Sequence, residues 1–448
     1  MASTISKTLA RRQSGQALVL ALLITIVGVF LMLAVFSSGR ALTAKQSLND
    51  AADAAALSAA TWRARALNYV AYTNRAIVAQ EVALAQAVTL ASWAQYFDTL
   101  ADNAQSLSAA YPPAALALSA IAASAKVGRQ GAEQAAAAEQ QWRADTQLGY
   151  KVWLERSQDW LLRSAGVFGL GAIANEVARA SDPRFFAFTL SDGGAFSAFT
   201  RRYESPEDRA RMRQVVLDSL DPFTAASRSS DQRLPLPSSC VGRSLDPDKW
   251  TLWLRRRGGT ALHESLETWS ALDTMSLHDW RAGGFLKLGA CRDSEAWALG
   301  WGSGGAELGW NAAQQGSAQS NPLATGLAQV SAIEGAQSLA GLSKIHDLDH
   351  RLMNSETEPV SQIAVLARVE LGKVGTSDSL GTTSGRLRLN DGSGQTYLLA
   401  LSAAEVYFQP PPEASTPAQR ASLFSPFWQA RLIKPTEAHR AAAAAYAR

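Results

Sequence analysis

Residues 17–36 read ALVLALLITIVGVFLMLAVF, an apolar run without a single charge. At about 1.5 Å per helical residue, such a run crosses the roughly 30 Å hydrocarbon core of a bilayer. A helix buried in a water-soluble domain keeps one apolar stripe, whereas this segment is apolar on every face. Lys7, Arg11 and Arg12 precede it, and no acid appears before Asp50. Basic residues on a short leading tail favour an N-in orientation. Arg40 and Lys45 follow closely, so the charge bias is shallow, and the long C-terminal body is the part expected to be translocated. A cleaved secretory signal is the rival reading. Its apolar region would run about 7–15 residues and end in a small-x-small site, but here SSGRALTAKQ (37–46) reads as a continuing helix. The expectation is a retained single-pass anchor.

Beyond the membrane, Leu48, Ala52, Ala55, Ala59, Trp62, Ala66 and Tyr69 alternate in steps of four and three. That spacing puts them on one seam of a helix, suited to a coiled coil or to a hairpin within one subunit. Pro112 and Pro113 predict a turn. Helical pattern resumes from about Ala114 through Ala180, with an apolar patch around Trp153, Trp160 and Phe168. From Ser181 the texture becomes irregular. Trp250, Trp253, Trp269, Trp280, Trp297 and Trp301 crowd a glycine-rich stretch and read as core rather than as a glycan or peptide groove. Ile363–Leu371 and Arg386–Phe408 read as strands, with a hairpin turn at Asn390-Asp391-Gly392.

The expected fold is therefore mainly α with an α+β distal region. Its segments are a basic cytoplasmic tail (1–15), a transmembrane helix (16–37), an Ala-rich helical rod and hairpin (38–180), an α+β periplasmic domain (181–410) and a C-terminal tail with a short helix (411–448).

In 448 residues the formal net charge is only +3 and the acids and bases are interspersed, which gives no reason to expect nucleic acid as a partner. Cys240 and Cys291 are the two cysteines of the chain, too few for a four-thiolate metal site or a disulfide scaffold. They are either two buried thiols or, outside the cytosol, one bridge worth about 2–4 kcal/mol.

The string RRQSGQALVL, the apolar run and then LTAKQSLNDAADAAALSAA resemble the N-terminal segment of TadE/TadG-like proteins of Tad (Flp, type IVb) pilus systems. The matching positions are Arg11, Arg12, Gly15, Gln16 and Ala17, then Asn49, Ala51, Ala52, Asp53, Ala54, Ala55 and Ala56. The resemblance covers roughly the first hundred residues. It implies a minor pilin-like protein of the bacterial inner membrane, with its body in the periplasm and pilins or other assembly proteins as partners. A homo-oligomer through the Ala-rich helix is a further expectation. The resemblance also raises prepilin-type processing between Gly15 and Gln16. Pilins of this kind carry a glutamate five residues after the cleavage point, where this chain has Leu20; its absence argues for stable anchoring rather than polymerisation. Some relatives carry a von Willebrand A-type metal site, but Asp391-Gly392-Ser393-Gly394-Gln395 lacks the last hydroxyl and does not qualify.

His346-Asp347-Leu348-Asp349-His350 would present two imidazoles on one face if helical, but it lacks a glutamate and a third ligand, and reads as an exposed polar turn or helix. Gly300-Trp301-Gly302-Ser303-Gly304-Gly305 matches Gly-x-Gly-x-x-Gly by letter without the strand, helix and acid of a dinucleotide site, and reads as a flexible loop. His263 with Glu264 and Asp273, or His278 with Asp279, are conceivable acid/base pairs that the sequence does not bring together. The expectation is a non-enzyme without catalytic residues, metal or cofactor; the alternative is a membrane-tethered enzyme or binding module using the Trp-rich region.

Overall fold

The structure is a computed structural model that describes residues 14–110, 115–190, 192, 194–262, 269–282, 291–305, 320–330, 345–353, 358–374, 396–411 and 420–446. In chain order its helices are α1 (Ser14–Ala110), α2 (Ala115–Ser164), α3 (Val167–Ser181), α4 (Pro206–Asp218), α5 (Pro222–Ala225), α6 (Pro322–Val330), α7 (His350–Met353) and α8 (Glu437–Ala444). The strands are β1 (Phe186–Thr189), β2 (Thr200–Arg202), β3 (Ser230–Pro237), β4 (Thr251–Leu262), β5 (Trp269–Ala282), β6 (Cys291–Gly305), β7 (His346–Leu348), β8 (Ser361–Glu370), β9 (Tyr397–Phe408) and β10 (Trp428–Ile433).

α1 runs 97 residues because nothing in it stops a helix: it is rich in alanine, the best helix former, and holds no proline. The Pro112-Pro113 turn and the Asn390-Asp391-Gly392 hairpin lie outside the described residues.

Two compact units divide the chain, and they cut across the linear segments read from the sequence. The first comprises 1–71, 158–201 and 347–448; the second comprises 72–157 and 202–346. Each takes in part of α1.

In the first unit, an antiparallel sheet of order β1-β8-β9-β10 forms the body. One core joins Ile363, Val365, Ala367 and Val369 of β8 to the α1 seam and to Leu170, Ala174 and Ala178 of α3. Ala364 and Leu366 face a second cluster with Leu190 and Ala403, against which Ala442 and Ala443 of α8 pack. Both sheet faces are thus covered, which is why β8 reads as a nearly continuous apolar run rather than an alternation. The C-terminal segment, expected as a tail, supplies a strand: β10 pairs with β9 from Trp428↔Phe408 to Ile433↔Ala403. After it, Thr436 accepts from the His439 amide and starts the short α8.

In the second unit, β3-β4-β5-β6 form an antiparallel meander. The Gly300–Gly305 string is not a loop but the end of β6. Gly300, Gly302 and Gly304 alternate onto the sheet face that meets α1. A Cβ at Gly302 would lie 2.1 Å from the Ser92 carbonyl oxygen, and one at Gly304 would lie 2.1 Å from that of Val88. Period-2 glycine is what lets a helix backbone touch a strand backbone.

Candidate functional site

The features that can carry a function are arranged along α1. Its N-terminal portion is exposed at every residue of 17–36 but the half-buried Leu33: Leu18, Phe30 and Met32 are 72%, 68% and 78% accessible. This is the one helix among the described residues apolar and long enough to cross a membrane. Gly15 and Gln16, between which the resemblance raised processing, fall in its first turn, and Leu20 stands one turn further on.

Past the apolar run the same helix is buried. Leu48, Ala52, Ala55, Ala59 and Ala66 are 0–1% accessible, and Ala51, Ala56, Ala60 and Leu67 widen the seam into a broad face. The seam is occupied by the chain's own sheet and α3. Of the two readings of the seam, the contacts among the described residues are those within one chain.

Arg63, 1% accessible, locks this junction. Its Nε donates to the Ala165 carbonyl at 3.0 Å and its Nη1 to Ser361 Oγ at 2.8 Å. Its guanidinium stacks 4.1 Å from the Phe196 ring centroid and lies 3.8 Å from Asp192. Burial lowers its pKa to about 10, against the pull of Asp192.

In the second unit, a polar stripe on α1 covers an edge strand. β6 ends the sheet, and an uncovered edge exposes unpaired amides and carbonyls. Asn103 Nδ2 donates to Leu299 O at 2.9 Å, and Ser92 Oγ lies 3.1 Å from Gly302 O. Gln95 Oε1 accepts from Ser303 N at 3.0 Å; Thr99 Oγ1 accepts from Trp301 N at 2.8 Å and donates to its carbonyl at 2.7 Å. The positions 92, 95, 99 and 103 share one helix face, a signal present in the sequence but hidden among alanines.

Beneath that stripe, Asp273 is sealed from solvent. Arg228 donates to it from Nε at 2.7 Å and Nη2 at 2.9 Å, and Ser92 Oγ donates at 2.9 Å. Burial pushes the carboxyl up from its ordinary range, while Arg228 and Ser92 pull it back. His263 and Glu264, the other members of that suggested set, lie outside the described residues.

His278 and Asp279 do not form a pair, because neighbouring strand residues point to opposite faces. His278 Nδ1 is 3.1 Å from Asp293 Oδ1 and its Nε2 is 3.0 Å from Asn321 Oδ1, whereas Asp279 accepts from Ser239 N at 2.8 Å.

The His346–His350 cluster is not a single exposed turn or helix: it runs from a strand into the first residue of α7. Its first three residues form β7, and Asp347 is buried, accepting from the amides of Leu348 at 2.8 Å and Leu423 at 3.0 Å. Among the described residues no group of three or more His, Cys, Asp or Glu could hold a metal. The Asp391–Gln395 string lies outside them.

Of the six tryptophans only Trp269 is fully buried; Trp297 is 57% accessible. Trp253 lies under the guanidinium of Arg233, 4.9 Å away, and Trp280 under the Lys249 ammonium at 5.5 Å. The expected tryptophan core is corrected to one buried ring, with Trp253 and Trp280 half-buried beneath cations and Trp250 and Trp297 exposed. Cys240 and Cys291 are joined, with their sulfurs 1.97 Å apart.

The 15–64 segment of α1, holding the exposed apolar run and most of the buried seam, is the class-defining part. It matches the family model described as "Putative Flp pilus-assembly TadE/G-like". The chain thus carries a TadE/G-like N-terminal segment, which supports a pilus-assembly role. Neither the curated proteins nor the solved structures contain a significant match.

Proposed function

We propose that this protein is an inner-membrane-anchored, periplasm-facing component of a Tad/Flp-type pilus assembly or secretion system. In this reading it acts minor pilin-like, through protein contacts rather than catalysis. One observation carries it: the family-matched segment is a single helix whose first part is apolar and uncovered, and whose next part is built into a folded body. An anchor continuous with a folded body suits a membrane-held assembly component. The Cys240–Cys291 bridge supports an oxidising compartment for that body. Leu20 in place of a glutamate supports retention in the bilayer over polymerisation. Trp160 and Phe168, 64% and 97% accessible, offer aromatic anchors for a partner.

The test is topology in the native cell. Alkaline phosphatase fused after Arg448 should be active, and a fluorescent protein that matures only in the cytoplasm should stay dark at the same point. The reverse pattern would remove the periplasmic reading. N-terminal sequencing separates anchor from filament subunit, since a mature chain that begins at Gln16 would favour the subunit.

A further inference from the structure

A cavity of about 210 Å³ opens in the first unit, where α1 leaves its apolar run. Arg40, Thr43 and Ser47 of α1 line one side. Asp182 and Arg184 line the other, and Phe185, Val369 and Val374 supply apolar wall.

The charges do not cancel. Arg184 donates to Asp182 from Nε at 3.0 Å and Nη2 at 2.7 Å, and its Nη1 donates to the Lys373 carbonyl at 2.8 Å. That fork is fully engaged, and it neutralises Asp182. Arg40 is the surplus cation: it is exposed, rests 5.9 Å from the Phe36 ring centroid, and has no hydrogen bond or ion pair among the described residues. The Thr43 hydroxyl is engaged with the Gly39 carbonyl at 2.9 Å, which leaves Ser47 as the hydroxyl donor. The pocket therefore offers one net positive charge, one hydroxyl and apolar wall. Its volume is below the roughly 300–1,000 Å³ of sites for drug-sized ligands.

Position completes the argument. Arg40 stands four residues beyond Phe36 and Ser47 eleven, about 6 and 16 Å along a helix. The headgroup layer is about 5–8 Å thick on each side of the hydrocarbon. If residues 17–36 span the bilayer, the Arg40 end of the pocket stands in that layer, and Ser47 lies beyond it on the side where a headgroup projects. This step rests on the anchor reading above.

We propose that the pocket binds the phosphodiester of a membrane phospholipid, with Arg40 as its ionic contact, Ser47 as a hydroxyl donor and the apolar wall against the glycerol carbons. A free phosphate shares the ionic chemistry but makes no use of Phe185, Val369 and Val374.

The test uses the full chain in mild detergent, with bound phosphatidylglycerol counted by native mass spectrometry. The wild type should retain one lipid. Arg40→Ala should lower retention about fivefold, the contribution of one cation near an anionic surface, and Arg40→Lys should keep most of it. Ser47→Trp, which fills the pocket without altering charge, should lower retention as far as Arg40→Ala. Arg351→Ala, at an exposed position elsewhere, should leave it unchanged. Equal retention by wild type, Arg40→Ala and Ser47→Trp overturns the site. Inorganic phosphate that displaces the lipid and binds as tightly alone overturns the lipid as occupant. Flotation with liposomes separates the two readings: variants that float like wild type but lose the lipid support both, while a wild type that does not float sinks the anchor itself.

Discussion

Asn68 holds the backbone of Trp428 with both ends of its amide: Nδ2 donates to the Trp428 carbonyl at 2.9 Å, and Oδ1 accepts from the Trp428 amide at 2.9 Å. β10 is an edge strand of its sheet, so α1 completes an edge here by the device it uses on β6 in the second unit. Asn68→Ala strands a donor and an acceptor together and should cost about 2–3 kcal/mol. Chemical denaturation of the solubilised chain measures this, and faster exchange at the Trp428 amide should accompany it. A change under 0.5 kcal/mol, roughly the scatter of surface substitutions, would mean the clasp contributes nothing.

Gly302→Ala should displace α1 from β6, because its methyl would sit 2.1 Å from the Ser92 carbonyl oxygen and 2.4 Å from the Tyr96 nitrogen. We expect a loss of about 3 kcal/mol, the upper end for overpacking. Gly326→Ala in α6 is the contrast: nothing lies within 4 Å of its Cβ position, and the helix should gain about 0.5–1 kcal/mol. Thermal melts of the two variants should therefore move in opposite directions.

Removing one side of the sealed ion pair should be worse than removing both. Arg228→Met leaves Asp273 buried without its main partner, at a cost of about 3–5 kcal/mol. The double variant Arg228→Met with Asp273→Leu should recover part of that loss. A purely additive double variant would show that the two side chains do not act as a pair.

The Cys240–Cys291 bridge spans a sequence separation of 51 residues. Closing a loop of that length stabilises by about 4 kcal/mol in the chain-entropy estimate. Replacing both cysteines by serine should lower stability by about 2–4 kcal/mol, and the wild type should migrate faster on non-reducing than on reducing gels. Identical migration would remove the bridge from the account.

The Arg184 fork holds the Asp182 carboxyl below its ordinary value of 3.8. A depressed folded-state value means the clasp is fully stabilising above about pH 5. It is lost as pH falls through 3.8 and below. The pair is partly exposed, so its worth is under about 1 kcal/mol. The stability gap between wild type and Asp182→Asn should be present at pH 7 and shrink as pH falls below 3.8. A gap that does not change with pH would assign the effect to something other than ionisation.

What the sequence disclosed follows from the range of each interaction. The apolar run and the four-three seam are local patterns, legible within 50 residues, and α1 contains both. The seam could not say what it packs against, because Leu170, Val365 and Val406 meet it from far along the chain. The Gly300–Gly305 string misled for a related reason. Glycines in isolation signal a turn, and only the helix lying on Gly302 and Gly304 explains their period of two. β10 was hidden because a six-residue strand that begins Trp-Gln-Ala-Arg declares itself only through β9.

The clasp between Asn68 and Trp428 also bears on biogenesis, since its halves stand 360 positions apart. At about 5–20 residues per second, a ribosome needs roughly 20–70 s to travel from one to the other. For much of that interval the nascent N-terminal rod lacks β8 and β9 for its alanine face, and for all of it Asn68 lacks its partner on β10. A chain born this way depends on something to shelter it until β10 arrives.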